Sequence, residues 1–394
     1  MDNPNSSGLS LCIAGWWPEQ DSVNGIFIRE HVLAIARLRP VEVITMSVVK
    51  AAGWPRIQVS TTTDEGVNVH RVALRTPLRR LNVPNLMARL ALRRLIRMIS
   101  RERKVGIVHI HVRTDLTEQT LHAVRPLKVP VVLTEHNSFY HLGIHQLPEP
   151  ERMRTIAAIR SWLSDPDLLH IMPVSNDLAG TLERVYGVEP HRTTVVTNVA
   201  ASVFKPGHRP SAPPFIILLA AVWRPPKDYD VFIKAMAQLP LEVKRKCKVV
   251  WAGYGPDMVS IQQRCAHELE DVEVSFPGKL ERNELAKAMQ TAHLFVLPTR
   301  SDNQPCVVLE SLSCGTPVIS MAVNGVPEMI DGSNGVLVPP NDPAALSQAL
   351  AAYISGEHVP DHDSIASNAD AKYSPAVISE AIDKVYQHAM RQFR

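Results

Sequence analysis

Residues 294–340 read LFVLPTRSDNQPCVVLESLSCGTPVISMAVNGVPEMIDGSNGVLVPP, and the punctuation of this stretch decides the fold. Leu294-Phe295-Val296-Leu297-Pro298 is an unbroken apolar run, as a strand buried on both faces of a parallel sheet requires. A polar turn carrying Asp302 leads into 307–312, which opens a helix with a second acid, Glu310. Cys314-Gly315-Thr316-Pro317 stops that helix. Val318-Ile319-Ser320 is the next buried strand, and Asn324-Gly325-Val326-Pro327-Glu328 turns into another helix. Two strand ends and two helix N-termini are therefore expected at one crevice, each with an acid nearby. The unpaired N–H groups and positive dipole end of a helix N-terminus suit a diphosphate. A carboxylate one turn further in can accept two hydrogen bonds from sugar hydroxyls.

Outward from this stretch the same rhythm recurs. In the second half, strands are expected at 215–221, 249–252 and 272–276, with helices at 229–238 and 258–268. In the first half, apolar runs at 9–14, 41–46, 67–74, 105–111, 129–134 and 171–174 read as strands, helical spacing marks 27–38 and 84–100, and 195–198 closes the half. Ser175 caps the helix after the last strand. Strand–helix alternation of this kind predicts doubly wound, mostly parallel sheets. Residues 202–214, SVFKPGHRPSAPP, are proline-rich and without period, and read as a linker. The expected organisation is an N-terminal Rossmann-like domain over 1–201, the linker over 202–214, a second Rossmann-like domain over 215–375, and a last helix over 376–394. Strand carboxyl ends of two such domains face a central cleft, where open α/β sheets bind ligands.

The chain has 394 residues, 45% apolar and 21% charged, which suits two globular domains rather than one core. A net charge of +3 gives no ground for nucleic-acid binding. Five cysteines without a CxxC pair argue against a disulfide framework or structural zinc and fit a reducing cytoplasm. No apolar run approaches the roughly twenty residues that span a bilayer, and MDNPNSSGLS lacks the form of a signal peptide. The expected location is cytoplasmic, or peripheral on the inner face of the membrane.

The motifs of 294–340 resemble the retaining, nucleotide-sugar-dependent glycosyltransferases of the GT-B group known as family 4. Asp302 and Glu310 have the family's spacing of an acid, seven residues and a glutamate. Cys314–Val318, Gly325-Val326-Pro327-Glu328 and Asn334-Gly335-Val336-Leu337-Val338-Pro339 continue the pattern in order. The first acid is usually glutamate, and Asn303-Gln304-Pro305 stands where Gly-Phe-Gly is usual; Asp-Asn-x-Pro occurs in a subset of these enzymes. The resemblance implies a GT-B fold whose final helix crosses back to the N-terminal domain. It implies transfer of a sugar from a nucleoside diphosphate sugar to a hydroxyl acceptor, such as a lipid-linked glycan or a cell-surface polysaccharide precursor, with retention of configuration. Glu310 would bind the ribose and Asp302 the donor sugar, while Lys227 and Arg224 would clamp the diphosphate with backbone groups near Cys306, Val307 and Val308. The family's usual arginine falls on Val222. Gly253-Tyr254-Gly255 would frame the base pocket, Lys279 and Leu280 would offer backbone contacts to the base, and Gly25 matches the last glycine of the family's loop after the first strand. His136 follows the strand 129–134; its residues alone read as a polar turn, and the resemblance gives it a positioning role on a sugar hydroxyl.

With cations and helix dipoles taking the charge, no metal or other cofactor is expected. His109 and His111 alternate along one strand, and the expectation is that one is core and one faces the cleft, with no acid or cysteine to complete a metal set. The rival readings are a GT-B-fold sugar-nucleotide epimerase, a non-catalytic sugar-nucleotide-binding subunit, and a membrane-bound scaffold. The last draws on a basic stretch: Arg71, Arg75, Arg79 and Arg80, then a helix and its end over 84–104 with Arg89, Arg93, Arg94, Arg97, Arg101, Arg103 and Lys104. Leu86, Leu90 and Ile96 share that helix, which reads either as a solvated surface helix or as a contact to anionic lipid. Without interleaved aromatics the charge does not read as a nucleic-acid surface.

Overall fold

The computed structural model describes residues 8–18, 23–78 and 82–393. The chain divides into two compact units, Met1–Val199 with Pro375–Arg394, and Ala200–Ser374. Arg79 and Arg80 of the basic stretch lie outside the described residues.

The first unit holds a seven-stranded sheet. Its strands are β1 (Leu9–Ala14), β2 (Val41–Lys50), β3 (Arg56–Asp64), β4 (Val67–Thr76), β5 (Val105–His111), β6 (Val131–Glu135) and β7 (Leu168–Pro173). The order is β3-β4-β2-β1-β5-β6-β7. Its helices are α1 (Ile26–Ala36), α2 (Val83–Glu102), α3 (Gln119–Val124), α4 (Leu142–His145), α5 (Glu149–Leu163) and α6 (Asn176–Tyr186). Alternate β1 side chains serve opposite faces: Leu9, Leu11 and Ile13 pack with α2, α5 and α6, while Cys12 and Ala14 pack with α1. The second face is completed by the C-terminal helix, Pro375–Gln392. It presents Ile378, Ile382, Val385, Tyr386 and Ala389, an i, i+4, i+7, i+8, i+11 stripe, to the α1 side.

One strand departs from the parallel expectation. β3 pairs antiparallel with β4 at the sheet edge, and its residues are almost all exposed. Glu65 (φ 44°) and Gly66 (φ 85°) form the two-residue left-handed turn that joins them. An edge strand with nothing packed on it leaves no apolar pattern, but Asp64-Glu65-Gly66-Val67 is a hairpin signal that a reading for buried runs passes over. Residues 195–198 form no strand; Val196 N–H donates to the Pro173 carbonyl at 3.0 Å and carries the chain along β7 as irregular backbone.

The second unit is a six-stranded, all-parallel sheet. Its strands are β8 (Phe215–Val222), β9 (Cys247–Tyr254), β10 (Glu273–Gly278), β11 (Leu294–Leu297), β12 (Val318–Met321) and β13 (Gly335–Val338), ordered β10-β9-β8-β11-β12-β13. Helices α7 (Tyr229–Gln238), α8 (Leu241–Lys244), α9 (Met258–Glu268), α10 (Arg282–Thr291), α11 (Cys306–Ser313), α12 (Pro343–Ser355) and α13 (His362–Tyr373) follow the strands, and α14 is Pro375–Gln392 of the first unit. β11 shows why the decisive run is apolar throughout. Leu294 and Val296 enter the core under α7, α9 and α12, and Phe295 and Leu297 enter the core under α10, α11 and α13. Ala200, Ala201 and Phe204 are buried in the latter core, so the structured part of this unit begins before the proline-rich segment. The second turn of the decisive stretch differs from expectation: Val326–Glu328 is one 3₁₀ turn and opens no α-helix.

Candidate functional site

Each sheet reverses its winding once. In the second unit the chain steps from β8 outward through β9 and β10, then returns beside β8 with β11 and continues through β12 and β13. Loops leaving β8 and β11 therefore open at the same point of the sheet's carboxyl edge, the place where α/β sheets leave room for a ligand. The two loops are tied together. Lys227 and Thr299 form an isolated bridge, and Arg300 N–H donates to the Pro226 carbonyl at 2.9 Å. Arg300 grips the buried Asp228 carboxylate with Nε at 2.6 Å and an Nη at 3.0 Å. Across this junction Lys227 Nζ donates to Asp302 Oδ2 at 2.7 Å, with both side chains about four-fifths buried. The expected diphosphate cation and the expected sugar carboxylate thus meet each other.

Glu310 lies in α11, behind this junction in sequence, and is 7% exposed. Cys306 and Val307 are half-buried at the helix start. Val308 N–H donates to the Pro305 carbonyl at 3.0 Å, so this one of the expected phosphate-facing N–H groups already has a partner. Arg224 is exposed, and no ion pair to it is seen among the described residues. Lys279 Nζ pairs with Glu281 at 2.9 Å, and Leu280 is half-buried beside the α10 core.

Gly253 closes β9 at φ 113°; a Cβ there would fall 1.9 Å from the Ala221 carbonyl oxygen. The turn lets Trp223 pack inside, with its Nε1–H on the Ala252 carbonyl at 2.8 Å, and Gly255 follows it with φ 146°. The GxG here is thus required by backbone contact between β8 and β9.

Gly25 and His136 belong to the first unit, whose winding reverses between β1 and β5. Gly25 is the N-cap of α1 at φ 82°, and a Cβ would lie 2.8 Å from the Trp16 carbonyl carbon. His136 leaves β6, and its Nδ1–H donates to Asn198 Oδ1 at 2.9 Å. The buried Glu135 carboxylate organises the turn. It accepts from the Arg113, His136 and Asn137 N–H groups at 3.1, 2.9 and 2.9 Å and from the Tyr140 hydroxyl at 2.9 Å. Burial raises the Glu135 carboxyl against the pull of these donors.

Two further histidines surround His136. His111 comes from β5, and His31 comes from the buried stripe of α1 between Ile28 and Ile35. Ring centroids lie 5.0 Å apart for His31 and His136, 6.0 Å for His31 and His111, and 6.3 Å for His111 and His136. Burial, reinforced by the neighbouring histidines, holds His136 and His111 well below the usual imidazole range. It lowers His31 to about 4, so all three are neutral at physiological pH. The expectation that His109 and His111 part company is corrected: residues two apart on a strand share a face, and their ring centroids lie 3.9 Å apart with the planes tilted by 31°, both buried. His109 is fully engaged by the Tyr386 hydroxyl and by Thr134 Oγ1, each at 2.7 Å. The statement that no cysteine completes the set is also corrected, since Cys12 lies with His109 and His111, all buried. The helical period placed His31 on the core face, which was the one signal for it. Nothing in the sequence marked Asn198 as a partner of His136.

Residues 33–200 match the family model described as Glycosyltransferase Family 4, and residues 213–355 match that described as Glycosyl transferases group 1. The chain is 30% identical over 235 residues to D-inositol 3-phosphate glycosyltransferase 2 of Catenulispora acidiphila, with 55% of each chain covered. It is 24% identical over 332 residues to a phosphatidylinositol N-acetylglucosaminyltransferase subunit of Arabidopsis thaliana, covering 83% of this chain and 71% of that one. Its matches to the D-inositol 3-phosphate enzymes span about half of their length. Anabaena Alr3699/HepE in complex with UDP shares the fold at a TM-score of 0.71 and 15% identity, over 96% of this chain and 99% of that one. A family match on each unit, joined to a fold shared along almost the whole chain, makes this protein a member of the GT-B glycosyltransferases of family 4.

Proposed function

We infer that the protein transfers a sugar from a nucleoside diphosphate sugar to a hydroxyl acceptor with retention of configuration. The observation that carries this reading is the Lys227–Asp302 pair at the β8/β11 winding reversal, with the buried Glu310 on the helix that follows. A donor diphosphate entering there exchanges the Asp302 partner of Lys227 for its own oxygens and frees the carboxylate for sugar hydroxyls. The bond from the anomeric carbon to the diphosphate oxygen breaks. A bond from that carbon to the acceptor oxygen forms on the same face, and the hydroxyl proton passes to the departing diphosphate. Lys227, Arg224 and the start of α11 offset the charge that develops. Glu310 holds the ribose. The reading needs no divalent metal at the diphosphate. Solved structures that share the fold hold UDP or ADP, which supports a nucleoside diphosphate donor without selecting its base.

The first unit supplies support for an anionic acceptor. A cavity of about 530 Å³ opens beside Trp16, Trp17, Ser47 and Ser60, with Arg71 and Arg75 on its β4 wall. Two guanidinium groups suit a phosphate, and the relative from Catenulispora acidiphila is named for an inositol phosphate. The exposed face of α2 carries Leu86, Leu90 and Met98 beside Arg93, Arg94 and Arg97, while Ile96 turns into the core. That face supports a contact with an anionic membrane, where a lipid-linked acceptor resides. No helix among the described residues is long and apolar enough to cross a membrane. Donor turnover with identification of the products tests the reading: a nucleoside diphosphate plus a sugar of retained anomeric configuration is expected. Binding of UDP-, GDP- and ADP-sugars without turnover toward water or any phosphorylated or lipid acceptor would instead favour a non-catalytic binding role.

A further inference from the structure

We propose that His31, His111 and His136 form a transition-metal site in the first unit, of the three-imidazole type with an open fourth position suited to Zn²⁺. One ring nitrogen from each residue lies within 4.8 Å of the other two. Zinc–nitrogen bonds of about 2.0–2.1 Å need nitrogens roughly 3.4 Å apart, so modest ring rotations close the site. The surroundings have the form that metal-bound histidines require, in which the non-ligating N–H is held by an oxygen. His31 Nε2–H donates to the Thr197 carbonyl at 3.0 Å, leaving Nδ1 as the lone-pair nitrogen. His136 Nδ1–H donates to Asn198 Oδ1 at 2.9 Å, leaving Nε2 as the lone-pair nitrogen. Two adjacent residues of one loop thus fix both tautomers.

A second observation points to a ligand. His31 and His111 are completely buried, yet His31 Nδ1 and both His111 nitrogens have no hydrogen-bond partner. Buried polar atoms are rarely left so, and a bound cation satisfies one on each ring. The neighbouring Cys12–His109–His111 group is a poorer site, because both nitrogens of His109 are already engaged. Imidazole donors select zinc, copper, iron or nickel over magnesium. Occupancy would hold His136.

Chelator-washed full-length protein titrated with Zn²⁺ in a calorimeter is expected to bind one equivalent, undisturbed by excess Mg²⁺. With Co²⁺ it is expected to give the strong visible absorption of a four-coordinate site. His31→Gln and His111→Gln, checked for folding by circular dichroism, should each bind at least tenfold more weakly, while Cys12→Ala should bind as the wild type does. If the variants fail to fold, the ¹⁵N imidazole resonances of the wild type decide, with shifts on zinc addition expected at His31, His111 and His136. No zinc bound to the wild type, binding unchanged in both histidine variants, or loss of binding in Cys12→Ala would each overturn the assignment.

Discussion

Lys227 and Asp302 hold each other before any donor arrives, and this governs what their substitution does. Lys227→Ala removes a charge that matters most as the leaving diphosphate gains its own, so kcat should fall more than donor affinity. Pairing the change with Asp302→Asn should be non-additive by roughly 0.5–3 kcal/mol, the range for residues in direct contact. Additive losses in kcat/KM would show that the two act on separate ligand groups. Glu310 is different, being buried and one helix further on. Glu310→Gln replaces a charged acceptor by a neutral amide, and a charge-assisted hydrogen bond is worth about 1.5–3 kcal/mol. Donor affinity should drop about ten- to a hundredfold with the melting temperature nearly unchanged. Equal donor affinity in calorimetry would remove Glu310 from the site.

Among the elements, β9 with its turn and α2 make opposite demands. The Gly253 backbone sits where a Cβ would meet the Ala221 carbonyl oxygen at 1.9 Å, and its left-handed φ adds strain for any other residue. Gly253→Ala should cost about 1–3 kcal/mol or more, read as a shift of the urea midpoint. A wild-type midpoint would mean that β8 and β9 separate without loss. For α2, replacing Arg89, Arg93, Arg94 and Arg97 by glutamine should release the protein from acidic liposomes, at about 1 kcal/mol per arginine near the surface. Arg93, Arg94 and Arg97 are exposed, whereas Arg89 is half-buried and donates to Gln119 at 3.2 Å, so it should contribute least. Turnover on a soluble acceptor analogue should persist. Wild-type protein that ignores acidic vesicles at low salt would leave α2 an ordinary solvated helix.

At the scale of the whole molecule, acid should unfold the protein by way of the first unit. Burial, with help from nearby cations and His388, lowers His170 to about 4, and the folded form keeps it neutral. Such a group contributes stability that is complete above its unfolded pKa near 6.5 and is lost as pH falls from there toward 4. Glu42, held down first by His70 and also by Arg103, contributes stability present above the ordinary carboxylate pKa and lost below it. The two effects have the same sign and follow one another down the pH scale. The urea midpoint should therefore fall continuously between pH 6.5 and 4, and His170→Gln should flatten the upper part of that fall. A midpoint constant across this window in the wild type would contradict the assignment of His170 as buried and neutral.

Local pattern by itself determined the parallel strands and most of the helices. A strand buried on two faces must be apolar at every position, as β11 is, and a helix on a sheet must repeat its apolar residues every three or four, as α7 and α9 do. The same logic placed Lys227, Asp302 and Glu310 at strand ends and a helix start, because those positions follow from element boundaries. It could not register β3, which buries nothing, or α5, of which only Ile159 and Leu163 are buried. Nor could it bring together partners far apart in the chain. His136 with Asn198, His31 with Thr197, and Lys227 with Asp302 are set by strand order and by where each sheet reverses its winding. Strand order depends on which apolar faces find each other in three dimensions, and no periodicity along the chain encodes that choice.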